Sequence, residues 1–85
     1  MTTFITEKAQ ERAEDLKYTY SSFAEEFRKQ TVFFEDGFRL GRPFEQGGTH
    51  GREIVMCGGK ILMRYDEPED GVVEIFDFVF ASSNR

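Results

Sequence analysis

Residues 52–80 read REIVMCGGKILMRYDEPEDGVVEIFDFVF, and this stretch decides the fold. Apolar and polar residues alternate on both sides of Gly58-Gly59, a pattern typical of two strands joined by a tight turn. A second turn at residues 67–71 leads into another alternating segment, residues 72–80. The stretch therefore predicts a three-stranded antiparallel β-meander over residues 52–80.

Opposite charges across the two predicted turns indicate the register of the strands. Pairing the strands around Gly58-Gly59 puts Glu53 opposite Arg64. Pairing them around the second turn puts Lys60 opposite Asp77. Opposite charges that face each other across two strands stabilise a sheet, so we expect both pairs to form.

This register divides the side chains of the meander between two faces. The apolar face consists of Ile54, Met56, Ile61, Met63, Tyr65, Phe76, Phe78 and Phe80. The second face mixes aliphatic and charged residues, namely Glu53, Val55, Cys57, Lys60, Leu62, Arg64, Val73, Ile75, Asp77 and Val79. We expect the first face to form the core. The second face predicts a surface for a partner or for a second copy of the chain.

The N-terminal third predicts a helix that covers the apolar face. Its apolar residues recur at alternating intervals of four and three, at Ala9, Ala13, Leu16, Tyr20, Phe23 and Phe27. Thr6 is a suitable N-cap. Residues 18–22 have low helix propensity, which leaves a bend or break near residues 19–22 as an alternative. Because no glycine or proline interrupts the pattern, we predict one long helix over residues 7–30.

Residues 35–51 connect the helix to the meander. Five glycines and Pro43 lie in this stretch, which predicts irregular structure over most of it. Such a long loop is unusual in a small domain and is more often functional than not. The sequence therefore predicts a single α+β domain over residues 1–85, with a helical part at 6–30, a connector at 35–51 and a meander at 52–80.

Composition narrows the possible functions. The 85 residues carry a net charge of −5 with a single cysteine and a single histidine. The negative charge argues against binding of free nucleic acid, and the lack of a long apolar run argues against a membrane span. One cysteine suits a reducing cytoplasm, where we expect the protein to act. With no metal-ligand cluster and no cofactor motif in the sequence, we predict neither a metal nor a cofactor.

The sequence from residue 40 onward resembles the RelE/ParE superfamily of toxins from toxin–antitoxin systems. Leu40-Gly41-Arg42-Pro43 is similar to the segment that joins helices to sheet in ParE-like members. Residues 52–65, with a glycine turn before a basic and apolar strand, resemble the central hairpin of the family. Residues 73–85 resemble its last strand and C-terminal tail.

The resemblance implies one of two toxin activities. ParE-like members bind a bacterial enzyme such as DNA gyrase, whereas RelE-like members cleave mRNA on the ribosome. Cleavage needs a base, an acid and a cation for the phosphate. The cationic candidates are Arg52, Arg64 and Arg85, with Lys60 at a similar motif position. Three departures stand out: the family has a helical hairpin where we predict one helix, its tail usually carries a histidine, and this chain is more acidic than an RNA-cleaving member.

The poor catalytic inventory favours a protein that acts by binding. The expected binding residues are Arg39, Arg42, His50, Arg52, Lys60, Leu62, Arg64, Ile75 and Asp77. The expected partner is a protein, either a host enzyme or an antitoxin, and a homodimer is a further possibility. The alternative is a phage-encoded or mobile-element-encoded inhibitor, for example an anti-CRISPR protein, which the small size and the acidic turn at residues 66–70 favour.

Overall fold

A computed structural model describes residues 2–81 as two helices and a five-stranded sheet. The elements are β1 (Thr2–Ile5), α1 (Glu7–Thr19), α2 (Phe23–Glu35), β2 (Arg42–Gln46), β3 (Thr49–Met56), β4 (Ile61–Glu69) and β5 (Val72–Phe80). The sheet order is β1-β5-β4-β3-β2, with β1 parallel to β5 and every other pair antiparallel. The predicted architecture, one long helix on a three-stranded antiparallel meander, is therefore wrong.

The predicted long helix is a hairpin of two helices that breaks at residues 20–22. Tyr20 adopts an extended conformation (φ −123°, ψ 116°), and its N–H still donates to the carbonyl of Leu16. Ser22 donates its hydroxyl to Glu26 at 2.7 Å in the first turn of α2. Tyrosine and serine stabilise a helix weakly, so packing of both helices on the sheet overrides the continuity of the apolar pattern. The pattern itself did identify buried positions, because Ala9, Ala13, Leu16 and Phe23 all lie in the core.

Strand β1 is a short parallel edge strand that the sequence analysis missed. Thr3 pairs with Val73 and Ile5 pairs with Ile75. Thr6 then starts α1, where its side-chain oxygen accepts a hydrogen bond from the N–H of Ala9 at 3.2 Å. The predicted N-cap is therefore confirmed.

Strand β2 lies within the segment expected to be an irregular connector. It pairs with β3 from Arg42–Glu53 to Gln46–Thr49, and Gly47-Gly48 closes this hairpin with positive φ values of 58° and 84°. Glycine adopts such values without the steric penalty of a Cβ atom, so the two glycines form a turn. The prediction of irregular structure over residues 35–51 is thus wrong for β2 and for the start of β3.

The two hairpins of the predicted meander differ in how well their registers were predicted. Glu53 does face Arg64, as expected, although the connection is a four-residue loop with one 3₁₀ turn at Cys57–Gly59. The second hairpin turns at residues 70–71, because β4 extends to Glu69. Asp77 consequently faces Arg64, and the predicted pairing of Lys60 with Asp77 is wrong.

A β-bulge in β5 exchanges the faces of several residues. Tyr65 pairs with Ile75 and Arg64 pairs with Asp77, so Phe76 is an extra residue in the strand. Val73 and Ile75 are therefore fully buried, whereas the sequence analysis placed them on the open face. Phe76, predicted to be in the core, instead packs against Phe44, with ring centroids 6.2 Å apart. Phe80 was also assigned to the core, but it is 70% exposed near the end of the strand.

The core lies between the two helices and one face of the sheet. Its buried residues are Ala9, Ala13, Leu16, Phe23, Phe34, Met56, Cys57, Ile61, Met63, Tyr65, Val73, Ile75 and Phe78. The rings of Phe23 and Phe27 pack edge-on against Phe78, and Phe34 packs on Tyr65 with centroids 4.6 Å apart. Within the described residues, no helix covers the opposite face of the sheet.

Candidate functional site

A cleft of about 600 Å³ opens where the loop after α2 meets strands β2, β3 and β4. Its lining comprises Arg39, Pro43, Phe44, Glu45, His50, Gly51, Arg52, Tyr65, Asp66 and Glu67. Pro43, Arg52 and Tyr65 are direct neighbours across the three strands, and they share the sheet face on which the helices pack. The cleft brings together three of the predicted binding residues: Arg39, His50 and Arg52.

Arg52 is the exposed cation of the cleft. One of its guanidinium nitrogens donates a 3.4 Å hydrogen bond to the carbonyl of Gly41. No carboxylate within residues 2–81 forms an ion pair with it. His50 follows Thr49 at the start of β3 and faces Glu45 across the hairpin. The charge of Arg52 therefore remains available to an incoming group.

Arg39 has a structural role that its prediction as a binding residue did not include. Two of its guanidinium nitrogens donate to the two carboxylate oxygens of Glu67, at 3.2 and 3.1 Å. A third donates to the carbonyls of Phe34 and Phe38. Hydrogen bonding from Arg39, together with the N–H of Gly71, lowers the pKa of Glu67. Arg39 thus fastens the loop after α2 to strand β4.

Tyr65 forms the floor of the cleft and faces the core, as predicted. Its side chain is 1% exposed, and its hydroxyl donates to the carbonyl of Leu40 at 2.5 Å. Burial raises the pKa of Tyr65, and the nearby charges of Arg52 and Arg39 oppose this shift. A buried phenol whose proton is already shared with a carbonyl is a poor general base at neutral pH.

Two further predicted residues, Arg42 and Arg64, lie on the uncovered face of the sheet, away from the cleft. Arg64 donates to Glu53 at 3.1 Å and lies 4.5 Å from the ring centroid of Phe44. Arg42 is 4.0 Å from the same glutamate. Because Arg64 is committed to Glu53 and Phe44 on this face, it cannot act in the cleft as the candidate catalytic cation.

The other predicted residues are dispersed. Leu62 is half-buried on the uncovered face, and Lys60 is exposed in the loop before β4. Asp77 binds Lys8 and Arg12 of α1, at 3.3 and 3.4 Å. Ile75 is fully buried, because the bulge at the next residue turns its side chain into the core. Arg85 lies outside the described residues.

The sequence analysis missed several residues that line the cleft. Glu67 was assigned to a solvated turn, and Pro43 and Glu45 were assigned to irregular structure. The pairing of Glu53 with Arg64, which the structure confirms, is the feature of the sequence that indicates the position of the cleft. That register places Arg52 beside Tyr65 and so indicates the floor of the cleft from the sequence alone.

The described residues hold neither an evident metal site nor a membrane helix. Within residues 2–81, no group of three or more histidine, cysteine or acidic side chains is placed to bind a metal ion. In the same range, neither helix is long and apolar enough to cross a membrane. The chain matches no known family model, no curated protein and no solved structure.

Proposed function

We propose that the chain acts by binding a bacterial macromolecule without catalysis, in the manner of a ParE-like toxin of a type II toxin–antitoxin system. The cleft carries this proposal, because it presents the exposed guanidinium of Arg52 above a tyrosine whose hydroxyl is already bonded. A protein target such as DNA gyrase requires a shaped surface with a central anchor rather than a catalytic set. Arginine is well suited to anchor such a contact.

The order of the elements supports the toxin class. The resemblance implies a helical hairpin before an antiparallel sheet, and here α1 and α2 precede β2–β5. Residues 40–43, which resemble the segment before the sheet, run into β2, and the residues that resemble the central hairpin lie in β3 and β4. The main departure expected from the sequence, a single helix in place of the hairpin, therefore no longer weighs against the proposal.

The contents of the cleft favour binding over mRNA cleavage. Cleavage of a phosphodiester needs a general base, a general acid and cations that stabilise the transition state. Tyr65 is buried and bonded to Leu40, and Arg39 is engaged by Glu67. Among the described residues that line the cleft, Arg52 and His50 are left to serve that chemistry, which is fewer groups than the reaction needs. RelE-like cleavage is accordingly the second activity to test within the same family.

An inhibitor of a host nucleoprotein complex, for example an anti-CRISPR protein, is the candidate from another class. The observation that favours it is the tip of the β4–β5 hairpin, where Glu69 and Asp70 are exposed. Neither residue forms an ion pair within the described part of the chain. An exposed acidic tip is complementary to the basic surface that such a complex offers to nucleic acid.

Induced expression in a bacterium tests the toxin proposal. We expect growth arrest with the wild-type chain and inhibition of supercoiling by purified gyrase. We expect Arg52→Ala to weaken both effects by about tenfold or more, the loss typical of a central arginine contact. Arg28→Ala is the matched control, because Arg28 lies on the exposed side of α2 and pairs only locally, with Glu25 at 2.7 Å.

The controls separate the three functions. If the wild-type chain cleaved mRNA on the ribosome, and Arg52→Ala abolished cleavage but not target binding, catalysis would replace binding as the proposed function. Unimpaired growth, combined with protection of a phage from CRISPR immunity, would replace the toxin with the inhibitor. If Arg28→Ala lost as much activity as Arg52→Ala, the cleft would not be the binding site.

A further inference from the structure

A row of alternating charges crosses the uncovered face of the sheet. The pairings of β2 with β3, β3 with β4 and β4 with β5 align four residues, in the order Arg42, Glu53, Arg64 and Asp77. Side chains that are direct neighbours on adjacent strands share a face, about 5 Å apart. The row therefore reads plus, minus, plus, minus from one strand to the next.

Apolar side chains lie on both sides of this row. One flank is formed by Val55, Leu62 and Val79, which are direct neighbours across β3, β4 and β5. Val55 is 56% exposed, although its neighbours on this face are apolar. The other flank contains the packed rings of Phe44 and Phe76. No helix of the described chain lies above this charged row and its apolar flanks, so a surface that covers them must match both the charges and the apolar groups.

The order of the residues in these rows is self-complementary under a two-fold rotation. The two-fold axis lies in front of the uncovered face, parallel to the strands and above the gap between β3 and β4. Rotation about this axis stacks β3 of one copy on β4 of the other, and β2 on β5. Such an axis places Glu53 of one copy on Arg64 of the other. It also brings Arg42 near Asp77, but Asp77 already binds Lys8 and Arg12 of α1, so the complementarity rests on the central pair. The axis also places Val55 on Leu62 in one flank. The centre of each row thus meets its complement, and the sheets stack in the aligned arrangement common for packed sheets.

The other two-fold axis that stacks the two faces is unfavourable. A two-fold axis running along the charged row would stack each charge on its own copy, arginine on arginine and carboxylate on carboxylate, which costs several kcal/mol. In the favourable arrangement, removing water from the central charges costs little, because these charges are already largely buried in the single chain. The side chains of Glu53 and Arg64 are only 11% and 20% exposed in the single chain, so most of their hydration is already lost.

We propose that the uncovered face of the sheet is a homodimer interface, in which two copies stack about a two-fold axis parallel to the strands. The central contacts are Glu53 with Arg64 and Val55 with Leu62, each made twice. Arg52 lies on the helix-covered face and stays accessible in this dimer, although Phe44 belongs both to the lining of the cleft and to one flank of the interface. The interface does not use Arg52, so the inference does not rest on the proposed function.

A charge exchange between two variants tests this interface. We expect the wild-type chain to sediment as a dimer with a dissociation constant in the micromolar range. Arg64→Glu leaves two carboxylates at the centre of the row and Glu53→Arg leaves two guanidinium groups, so each variant alone repels its own copy. We expect dimerisation to weaken by about 100-fold in each. An equimolar mixture restores complementarity and should sediment as a heterodimer.

Further variants keep the test decisive if a charge reversal disturbs folding. Val55→Glu changes an exposed side chain, and we expect a folded monomer by circular dichroism and sedimentation. Lys29→Glu and Glu35→Arg alter net charge by the same amounts on α2, and we expect both to remain dimers. A wild-type monomer would overturn the proposal. A dimer that persists in Val55→Glu, or two charge variants that do not associate when mixed, would overturn it equally.

Discussion

At the scale of single residues, glycine and arginine positions determine how the segment before β2 approaches the sheet. Gly41 has φ +92°, and a Cβ atom there would meet the carbonyl of Glu53 and lie 2.9 Å from the side chain of Ile54. The absence of a side chain lets the backbone lie directly against β3. The same close approach brings the carbonyl of Gly41 to Arg52 and that of Leu40 to Tyr65.

Comparing substitutions of Gly41 and Gly37 should separate two contributions to the free energy of unfolding: the close contact with β3 and the left-handed backbone conformation. Gly37 is the matched control, because its φ is also +92° and a Cβ atom there meets nothing within 4 Å. We expect Gly37→Ala to lower the free energy of unfolding by about 1–2 kcal/mol, from the left-handed conformation alone. Gly41→Ala should cost about 1–3 kcal/mol more, because the backbone of β3 must shift. Urea denaturation measures both, and equal losses would contradict the close approach.

At the scale of elements, two adjacent phenylalanines show how α2 is attached to the sheet. Phe34 is fully buried and packs on Tyr65, whereas Phe33 is 41% exposed and contacts Phe38 at a centroid distance of 6.0 Å. The two residues have the same side chain and the same helical propensity. Any difference between them therefore reports the attachment of the helix rather than its intrinsic stability.

Truncation of each phenylalanine tests this attachment. We expect Phe34→Ala to lower the free energy of unfolding by about 3–5 kcal/mol, as for other fully buried aromatic residues. Phe33→Ala should cost about 1 kcal/mol or less, because it loses one aromatic contact at the surface. Thermal or urea unfolding followed by circular dichroism gives both values. A similar loss in the two variants would mean that α2 packs differently.

The elements also show which parts of the fold the sequence could predict. The helical apolar pattern found the buried positions across the break at residues 20–22, because packing selects the same face in both helices. The charge pair of Glu53 with Arg64 fixed one hairpin and therefore the neighbourhood of Arg52 in the cleft. The bulge at Phe76 was not predictable from alternation, since one extra residue exchanges the faces of the residues on one side of it, here Val73 and Ile75. Strand β1 has four residues, too few for a periodic pattern.

At the scale of the whole molecule, the ion pair of Arg39 with Glu67 connects the loop after α2 to the C-terminal end of β4, the central strand of the sheet. Arg39 follows α2 and Glu67 lies in β4, 28 residues later. Another side chain could not easily replace Arg39, because its guanidinium also donates to the carbonyls of Phe34 and Phe38. Since Arg39 stays charged, the state of this connection is controlled by the protonation of Glu67.

The stability of the chain should therefore fall in acid. The pKa of Glu67 is lowered in the folded state, so the unfolded chain binds the proton more readily. The stabilisation is present above the ordinary pKa of glutamate and is lost as the pH falls through the lowered value. We expect Glu67→Gln to remove part of the acid dependence of the free energy of unfolding. Glu11→Gln, on the exposed side of α1, should retain it. Urea titrations at neutral and acidic pH compare the three chains, and an unchanged acid dependence in Glu67→Gln would contradict the role of this pair.

The parallel pairing of β1 with β5 has a consequence for synthesis on the ribosome. Residues 2–5 leave the exit tunnel well before their partners at 72–75, which are made about 70 residues later. The first strand must wait with its backbone groups unpaired while the helices and the other hairpins form. Completion of the sheet is thus a late step, because a contact between such distant segments cannot precede the emergence of both.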